Sequence, residues 1–179
     1  MYIIRHCKAI GQAPEAELTR EGFEQAHELA DFLIDSGIDI IVCSPYLRAI
    51  QSIQPLAERL NLEITVEERL SERILSRENL PDWLDQLRAS FTDLDRCLPG
   101  GESSRDAMKR ITSVFDELSA TRHKNIALVT HGNLMALLLK NFDSHFGFEQ
   151  WQGLSNPDVY RISGLDYIPI IQRVWTLSS

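Results

Sequence analysis

The chain has 179 residues and a formal net charge of −8, and a chain of this length can fold as one domain with a sizeable core. Its hydrophobic content of 44% and charged content of 25% are typical of soluble globular proteins, and no apolar run approaches the roughly 18 residues of a membrane span. A pI of about 5.1 disfavours nucleic acid as a partner, because an acidic surface repels its phosphates. We expect a single domain over residues 1–179 that binds neither membranes nor nucleic acid.

The N-terminus and the cysteines predict a cytoplasmic protein. The first apolar residues are followed at once by Arg5 and His6, without the apolar region and cleavage site of a signal peptide. Cys7, Cys43 and Cys97 are odd in number and far apart. They show neither metal-ligand spacing nor a disulfide framework, which is typical of a reducing compartment.

In chain order, the first predicted element is a strand formed by the apolar run Met1–Ile4, which ends at Arg5 and His6. A helix is expected to follow, with Thr19 as its N-cap and Gly37 closing it. The apolar positions of this helix recur at helical spacing and are expected to face the sheet; they are Phe23, Ala26, Leu29, Ala30, Leu33 and Ile34.

The middle of the chain predicts two further strands around a helix. Residues 38–43 form an apolar strand, residues 44–46 a turn, residues 47–60 a helix and residues 62–66 a short strand. Residues 67–101 are less regular, although Trp83, Leu87 and Phe91 have helical spacing and Pro99–Gly101 predicts a break.

The last third predicts two helices and three strands. Ser103 or Ser104 is expected to cap a helix that runs to about Ala120. A strand over 126–130, a helix over 134–140 and strands over 159–163 and 171–177 complete the chain. The alternation predicts an α/β fold with three αβα layers: a mostly parallel sheet, helices on both faces, and an antiparallel edge strand at the C-terminal end.

Three predicted strands end at residues suited to binding an anion. Arg5 and His6 follow the first strand, Arg48 opens the helix after the strand over 38–43, and His131 follows the strand over 126–130. Because ligands bind at the carboxyl ends of strands in open α/β sheets, these side chains are expected to meet. Each histidine alone is an ordinary structural residue. Together with two guanidinium groups they predict a site for a phosphoryl group, with a histidine nucleophile.

The chain resembles the histidine phosphatase superfamily, with its phosphoglycerate mutase-like fold, and specifically its branch 1. The resemblance covers nearly the whole chain. Its motifs are weak alone but specific in their order and spacing: Arg5–His6, Leu18–Ala26, Ser44–Ala49, Pro99–Ser103 and Thr130–Asn133.

The resemblance implies phosphoryl transfer through a phosphohistidine on His6, with neither a metal ion nor a cofactor. It implies a catalytic role for His131 as well, and contacts to the substrate from Arg5, Arg48, His131, Gln12 and Gly132. His6 must attack as a neutral imidazole, and the neighbouring arginines oppose its protonation.

The resemblance also implies a general acid in a Leu-x-Glu context. Leu70–Glu72 matches that context, which makes Glu72 the predicted acid. Glu67, Glu68 and Glu78 are nearby alternatives.

Two positions depart from the family pattern. Cys7 stands where a glycine usually follows the first histidine, and it is either a small core residue or a thiol near the pocket. Gln12 stands where many members have Asn, and its longer amide can still donate to a phosphoryl oxygen.

The expected activity is metal-independent hydrolysis of a small phosphorylated metabolite. The alternatives are a cofactor-dependent phosphoglycerate mutase, a non-catalytic binder of phosphorylated ligands and, more distantly, a metallohydrolase, although His6 and His131 lack a supporting ligand at metal spacing. Mutases of the family are generally longer, so the length of this chain favours hydrolysis. The sequence leaves open whether the chain forms a homodimer.

The segment over 73–101 is expected to cover the pocket and to bear on the choice of substrate. Arg69, Arg73 and Arg77 are spaced by four residues, which on a helix would form one basic stripe. The stripe is either a solvated face, balanced by neighbouring glutamates, or a site where one arginine meets a second anionic group of the substrate.

Overall fold

The computed structural model describes residues 1–164 and 168–175. Its centre is a six-stranded sheet in the order β3-β2-β4-β1-β5-β6. The strands are β1 (Tyr2–Arg5), β2 (Ile40–Cys43), β3 (Ile64–Val66), β4 (Ile126–Thr130), β5 (Asp158–Ser163) and β6 (Ile170–Arg173). The first four strands are parallel to one another, whereas β5 runs antiparallel to β1 and β6 antiparallel to β5. The predicted mostly parallel sheet with an antiparallel C-terminal edge is confirmed.

Helices cover both faces of the sheet, as predicted. They are α1 (Arg20–Leu33), α2 (Leu47–Leu60), α3 (Trp83–Thr92), α4 (Ser104–Ser119), α5 (Gly132–Phe142) and α6 (Phe148–Gln152), with 3-10 turns at Ile34–Ser36 and Glu68–Leu70. Successive residues of the central strands belong to opposite cores. Ile3 and Leu128 pack with the apolar residues of α4 and α5, while Ile4 and Val129 pack with those of α1 and α2. Burial on both faces explains why these strands are continuously apolar.

The predicted helix ends agree closely with the structure. The Thr19 hydroxyl accepts the N–H of Gly22 at 2.9 Å, and that of Ser103 accepts the N–H of Asp106 at 3.1 Å. Gly37 ends the 3-10 turn after α1 in the left-handed region, at φ 66°. These signals are local hydrogen bonds and backbone preferences, so they can be read from a few neighbouring residues.

Several boundaries and contacts differ from the predictions. Phe23 is 44% exposed and does not face the sheet. The buried position beside it is Gly22, where an added Cβ would lie 2.0 Å from the Lys8 carbonyl oxygen. The strand expected from residue 62 begins at Ile64, and α5 begins two residues earlier than expected, at Gly132. Of the strand expected over 171–177, residues 176 and 177 lie outside the described residues.

The predicted basic stripe does not exist, because no helix joins its arginines. Arg69 lies in the 3-10 turn, and the chain between that turn and α3 is irregular. Arg69 instead forms ion pairs with Glu67 at 2.9 Å and Glu117 at 2.6 Å. Arg73 is buried, and Arg77 is exposed. In the part of the chain that the structure describes, no helix is long and apolar enough to cross a membrane.

Candidate active site

The carboxyl ends of the central strands bring together the four residues of the predicted phosphate pocket. His6 follows β1, His131 follows β4, and Arg48 is the second residue of α2. The ring centroids of the two histidines are 5.1 Å apart, and the Nε of Arg48 lies 3.2 Å from Nε2 of His6. Arg5, the last residue of β1, lines the same cavity as His6.

The hydrogen bonds of His6 define its tautomer. Its Nδ1 lies 2.7 Å from the carbonyl oxygen of Cys7. Because a carbonyl oxygen only accepts hydrogen bonds, Nδ1 carries the ring proton. The unprotonated Nε2 then accepts from the Nε of Arg48. The amide of Asn156 donates to the backbone oxygen of His6 at 2.8 Å, which fixes the strand end that carries the ring.

Burial keeps this imidazole neutral. The pKa of His6 is lowered from 6.5 to about 3, mainly by desolvation; the positive charges of Arg48 and Arg5 contribute to the lowering, and the hydrogen bond to the Cys7 carbonyl opposes it. Nε2 therefore stays unprotonated throughout the neutral pH range. A neutral ring with one nitrogen held by the backbone meets the requirements for a histidine nucleophile.

The lowered pKa of His6 predicts a loss of stability in mild acid. Between pH 6.5 and about 3 the unfolded chain binds a proton at His6 and the folded chain does not, so the free energy of unfolding falls as the pH drops. At pH 5 we expect this group to contribute a loss of about 2 kcal/mol, a value set by the unfolded pKa. Urea unfolding at pH 7.5 and pH 5 measures the loss. His6→Asn, whose amide can still donate to Cys7, should reduce it, and an equal loss in both proteins would contradict the assignment.

Among the described residues, His131 has a hydrogen-bond partner at only one of its two ring nitrogens. Its Nε2 lies 2.7 Å from the hydroxyl oxygen of Ser44. That oxygen accepts the N–H of Tyr46 at 3.3 Å, and the hydroxyl proton is left to donate. The Nδ1 of His131 is buried and has no partner among the described residues. Burial is the main cause that lowers the pKa of His131, and the positive charges of Arg48, Arg110 and Arg5 add to it. When the Ser44 hydroxyl donates to Nε2, the neutral ring has its N–H on the unpartnered Nδ1.

Backbone carbonyl groups position both arginines. Arg48 donates through Nη1 to the oxygens of Gln12 and Ala13, at 3.1 and 2.8 Å. Arg5 donates through Nη1 to the carbonyl oxygen of Leu154 at 3.1 Å, and its buried Nε has no partner among the described residues. A guanidinium group has five N–H donors, so each arginine keeps donors for an anion after its position is fixed.

Gly132 permits the close approach of Arg5 to the start of α5. An added Cβ at Gly132 would lie 3.0 Å from both Cζ and Nε of Arg5. A larger residue would push the guanidinium group away from this position. Gly132 therefore makes room for Arg5, and its predicted contact with the substrate stays a prediction.

Glu72 lies at the N-terminus of α5, where backbone N–H groups hold its carboxylate. Its Oε2 accepts from Asn133 at 3.1 Å, and its Oε1 accepts from Leu134 at 3.0 Å and from the N–H of Arg73 at 2.9 Å. The positive end of the helix dipole favours an acidic group there. Of the glutamates that the sequence left open, only Glu72 lines a cavity with Arg5 and His6.

Two adjoining cavities share Arg5, Glu72, Gln12 and Gly132. The smaller one, of about 120 Å³, is lined by the shared residues and by His6, Lys8, Ala9, Gly11 and Asn156. The larger one, of about 520 Å³, adds Tyr46, Arg73, Ile74, Leu75, Ser76, Trp83, Leu87, Asn133 and Trp151. The small cavity suits an anion, and the larger one, with its mainly apolar walls, suits the organic part of a ligand.

The two departures from the family pattern have different outcomes. Cys7 is fully buried, its N–H donates to the Ser52 hydroxyl at 2.8 Å, and burial raises the pKa of its thiol to about 12. It is a small core residue, the first of the two interpretations. Gln12 is exposed and lines both cavities, while its carbonyl oxygen holds Arg48.

Sequence reasoning missed several residues that support the site. The sequence places Ser44 in a turn and in a family motif without a role at the site, although its position directly after a strand indicates one. Asn133 was noted only as part of a motif. Asn156 had no signal, because its contact with His6 spans 150 residues of sequence. Within residues 1–164 and 168–175, no group of three or more His, Cys, Asp or Glu side chains is placed to hold a metal ion.

Comparisons with known proteins agree with this architecture. The family model described as "Histidine phosphatase superfamily (branch 1)" matches residues 1–173. "Putative phosphoserine phosphatase 2" of Hydrogenobacter thermophilus is 27% identical over 150 residues, which are 75% of this chain and 74% of that protein. "Probable phosphoglycerate mutase" of Proteus mirabilis is 24% identical over 155 residues, 78% of this chain and 72% of that protein.

Solved structures show the same fold. The mycobacterial glucosyl-3-phosphoglycerate phosphatase superposes with a TM-score of 0.78 at 25% identity, and the match covers 100% of this chain and 98% of that one. The family match extends from β1, with Arg5, through β6 and so includes every residue of the site described above. This chain therefore belongs to branch 1 of the histidine phosphatase superfamily.

Proposed function

We propose that this protein is a metal-independent phosphatase that hydrolyses a small phosphomonoester through a phosphohistidine on His6. The observation that carries the proposal is the tautomer of His6. Its proton is held on Nδ1 by the Cys7 carbonyl, and the unprotonated Nε2 accepts a hydrogen bond from the Arg48 guanidinium, which the substrate's phosphoryl group would take over. The names of the relatives, which are mostly those of phosphatases, support the reaction class.

In the first step Arg5, Arg48 and His131 bind the phosphoryl oxygens through N–H donors that have no partner among the described residues. These donors stabilise the negative charge on the phosphoryl oxygens in the transition state, and the fixed ring of His6 positions Nε2 for in-line attack on phosphorus. Nε2 of His6 forms a bond to phosphorus as the ester P–O bond breaks. Protonated Glu72 gives its proton to the leaving oxygen, and the alcohol is released.

In the second step water attacks the phosphohistidine. Glu72, now a carboxylate, takes a proton from the water as its oxygen bonds to phosphorus and the bond from phosphorus to Nε2 breaks. Inorganic phosphate leaves, and His6 and Glu72 return to their starting protonation states. The large cavity beside the small one is open to the organic part of the substrate, which is consistent with a small phosphorylated metabolite.

A mutase uses the same first step, and one relative carries a mutase name. It differs in the second step, because the phosphoryl group returns to a sugar acid and water is excluded. The experiment must therefore separate hydrolysis from transfer.

Two assays and one trapping measurement test the proposal. We expect steady release of phosphate from p-nitrophenyl phosphate, unchanged by excess EDTA. Rapid acid quench should yield a phosphorylated protein whose label maps to His6 and has the acid lability of phosphohistidine. Fast isomerisation of 3-phosphoglycerate in the presence of 2,3-bisphosphoglycerate, with little phosphate release, would instead identify a mutase. Loss of activity in EDTA and recovery with a metal ion would contradict the metal-independent mechanism.

A further inference from the structure

The short segment between α6 and β5 positions Arg5 through its backbone. Nη1 of Arg5 donates to the carbonyl oxygens of Leu154 and Ser155, at 3.1 and 3.4 Å. The buried Nε of Arg5 has no partner among the described residues. The position of the Arg5 guanidinium group therefore depends on where this segment lies.

A buried ion pair anchors the same segment from the side of β6. Asp158 is the first residue of β5, and its side chain is fully buried. Its Oδ2 accepts the N–H of Ser155 at 2.9 Å and Nη2 of Arg173 at 2.6 Å. Its Oδ1 accepts Nε of Arg173 at 3.0 Å and the N–H of Val159 at 2.9 Å. Arg173 also donates to the Ser155 hydroxyl at 3.2 Å, so β6 is joined directly to a residue whose carbonyl accepts from Arg5.

Asp158 has a second possible partner, because Arg5 lies beside it. The two residues are opposite one another in the antiparallel pair of β1 and β5, and side chains at opposite positions lie on the same face of a sheet. Burial lowers the pKa of Arg5, and the negative charges of Glu72 and Asp158 oppose that lowering. The carboxylate of Asp158 and the guanidinium group of Arg5 therefore attract each other.

Arg173 determines which of the two guanidinium groups pairs with Asp158. A buried carboxylate without a counter-charge is costly, and in the absence of Arg173 that cost would fall if Arg5 turned toward Asp158. Arg5 would then move its donors away from the small cavity that it lines. In the folded protein the bidentate pair with Arg173 prevents this exchange, because it uses both oxygens of the carboxylate.

We infer that Arg173 and Asp158 are positioning residues for phosphate binding: Arg173 holds the Asp158 carboxylate and thereby keeps the Arg5 guanidinium group available to the phosphoryl group. The inference rests on the proposed function, in which Arg5 binds that group. Arg173 is a residue of β6 and lines neither the small nor the large cavity. Its effect on phosphate binding therefore passes through Arg5.

Calorimetric titration with inorganic phosphate at pH 7.5 tests the inference without turnover. Arg173→Met removes the cation and keeps an unbranched side chain, and we expect the dissociation constant for phosphate to rise at least about tenfold. The Arg173 side chain is 40% exposed, so the substitution leaves no cavity in the core. Urea unfolding confirms that the variant is folded. An unchanged dissociation constant in the folded variant would show that the ion pair only stabilises the fold, and would overturn the inference.

A double variant separates competition for Arg5 from the loss of a contact. In Asp158→Asn combined with Arg173→Met, the amide oxygen can still accept the N–H of Ser155, and no negative charge remains to attract Arg5. We expect the double variant to bind phosphate at least about fivefold more tightly than Arg173→Met alone. Binding as weak as that of Arg173→Met would contradict the inference.

Arg173→Lys takes the place of Arg173→Met if the latter does not fold. Its single ammonium group lacks the planar fork and leaves one carboxylate oxygen for Arg5. The dissociation constant should therefore rise about threefold, and a wild-type value would overturn the inference.

Arg59→Met is the matched control. Arg59 forms an ion pair with Asp31 and lies in the last turn of α2, whereas Arg48 lies in the first turn. We expect its dissociation constant for phosphate to stay within about twofold of wild type, because the two sites are independent. A loss equal to that of Arg173→Met would show that any missing ion pair weakens binding, and the inference would fall.

The outcomes separate this inference from the proposed function. If the wild-type protein binds phosphate but hydrolyses no phosphomonoester, the proposed function fails, and the titrations still decide the role of Arg173. If it hydrolyses p-nitrophenyl phosphate and folded Arg173→Met binds phosphate as wild type does, the function stands and the inference is wrong. A wild-type protein that does not bind phosphate would overturn both.

Discussion

Replacing His6 by Ala is expected to lower kcat for p-nitrophenyl phosphate by at least about 10³-fold, because the variant has no group to accept the phosphoryl moiety. The loss should appear with every phosphomonoester, since it removes a step common to all of them. Formation of the phosphoenzyme in a rapid-quench experiment should be abolished with it.

The same variant should still bind inorganic phosphate. The contacts that position Arg5, Arg48 and His131 do not involve His6. Arg5 donates to the carbonyl oxygen of Leu154, and Arg48 donates to those of Gln12 and Ala13. His131 is hydrogen-bonded to the Ser44 hydroxyl. The Arg48 Nε that now donates to His6 becomes free for the anion. Calorimetric titration is expected to give a dissociation constant within about tenfold of wild type. A His6→Ala protein that keeps more than a tenth of its activity would assign the nucleophile elsewhere.

Glu72→Gln is expected to slow hydrolysis of an alkyl phosphate such as glycerol 3-phosphate by about 10²- to 10⁴-fold. The loss with p-nitrophenyl phosphate should be much smaller, because nitrophenolate leaves without protonation. Measurement of kcat/KM for both substrates in both proteins gives the ratio that identifies an acid.

The comparison of two leaving groups is necessary because Glu72→Gln also disturbs the start of α5. Both Glu72 oxygens accept backbone N–H groups. In the variant an NH2 group, which can only donate, would replace one of these oxygens and lie against a backbone N–H without forming a hydrogen bond. A positional effect of this kind slows both substrates equally, and equal losses would therefore remove Glu72 from the role of acid. Glu68→Gln is the matched control, since Glu68 is exposed and does not line a cavity with Arg5 or His6.

The irregular segment between β3 and α3 shows where sequence periodicity misleads. The four-residue spacing of Arg69, Arg73 and Arg77 matched a helical face, but spacing alone does not make a helix. Arg69 forms an ion pair with Glu117 of α4. Arg73 extends into a buried position, where it donates to the Glu102 carbonyl and the Ser90 hydroxyl. These long-range contacts override the local pattern.

The sequence by itself determined the sheet, most helix ends and the four residues that meet at the strand ends. These features depend on apolar runs, capping residues and strand order, all of which are local in the chain or follow from the rules of parallel sheets. Only the tertiary structure decided which glutamate lies in the pocket, which tautomer His6 adopts and which arginine of the irregular segment is buried. Glu72 is fixed by backbone groups 61 and 62 residues away, and His6 by an amide 150 residues away. Such contacts form between segments that are far apart in sequence, so no pattern within one segment can indicate them.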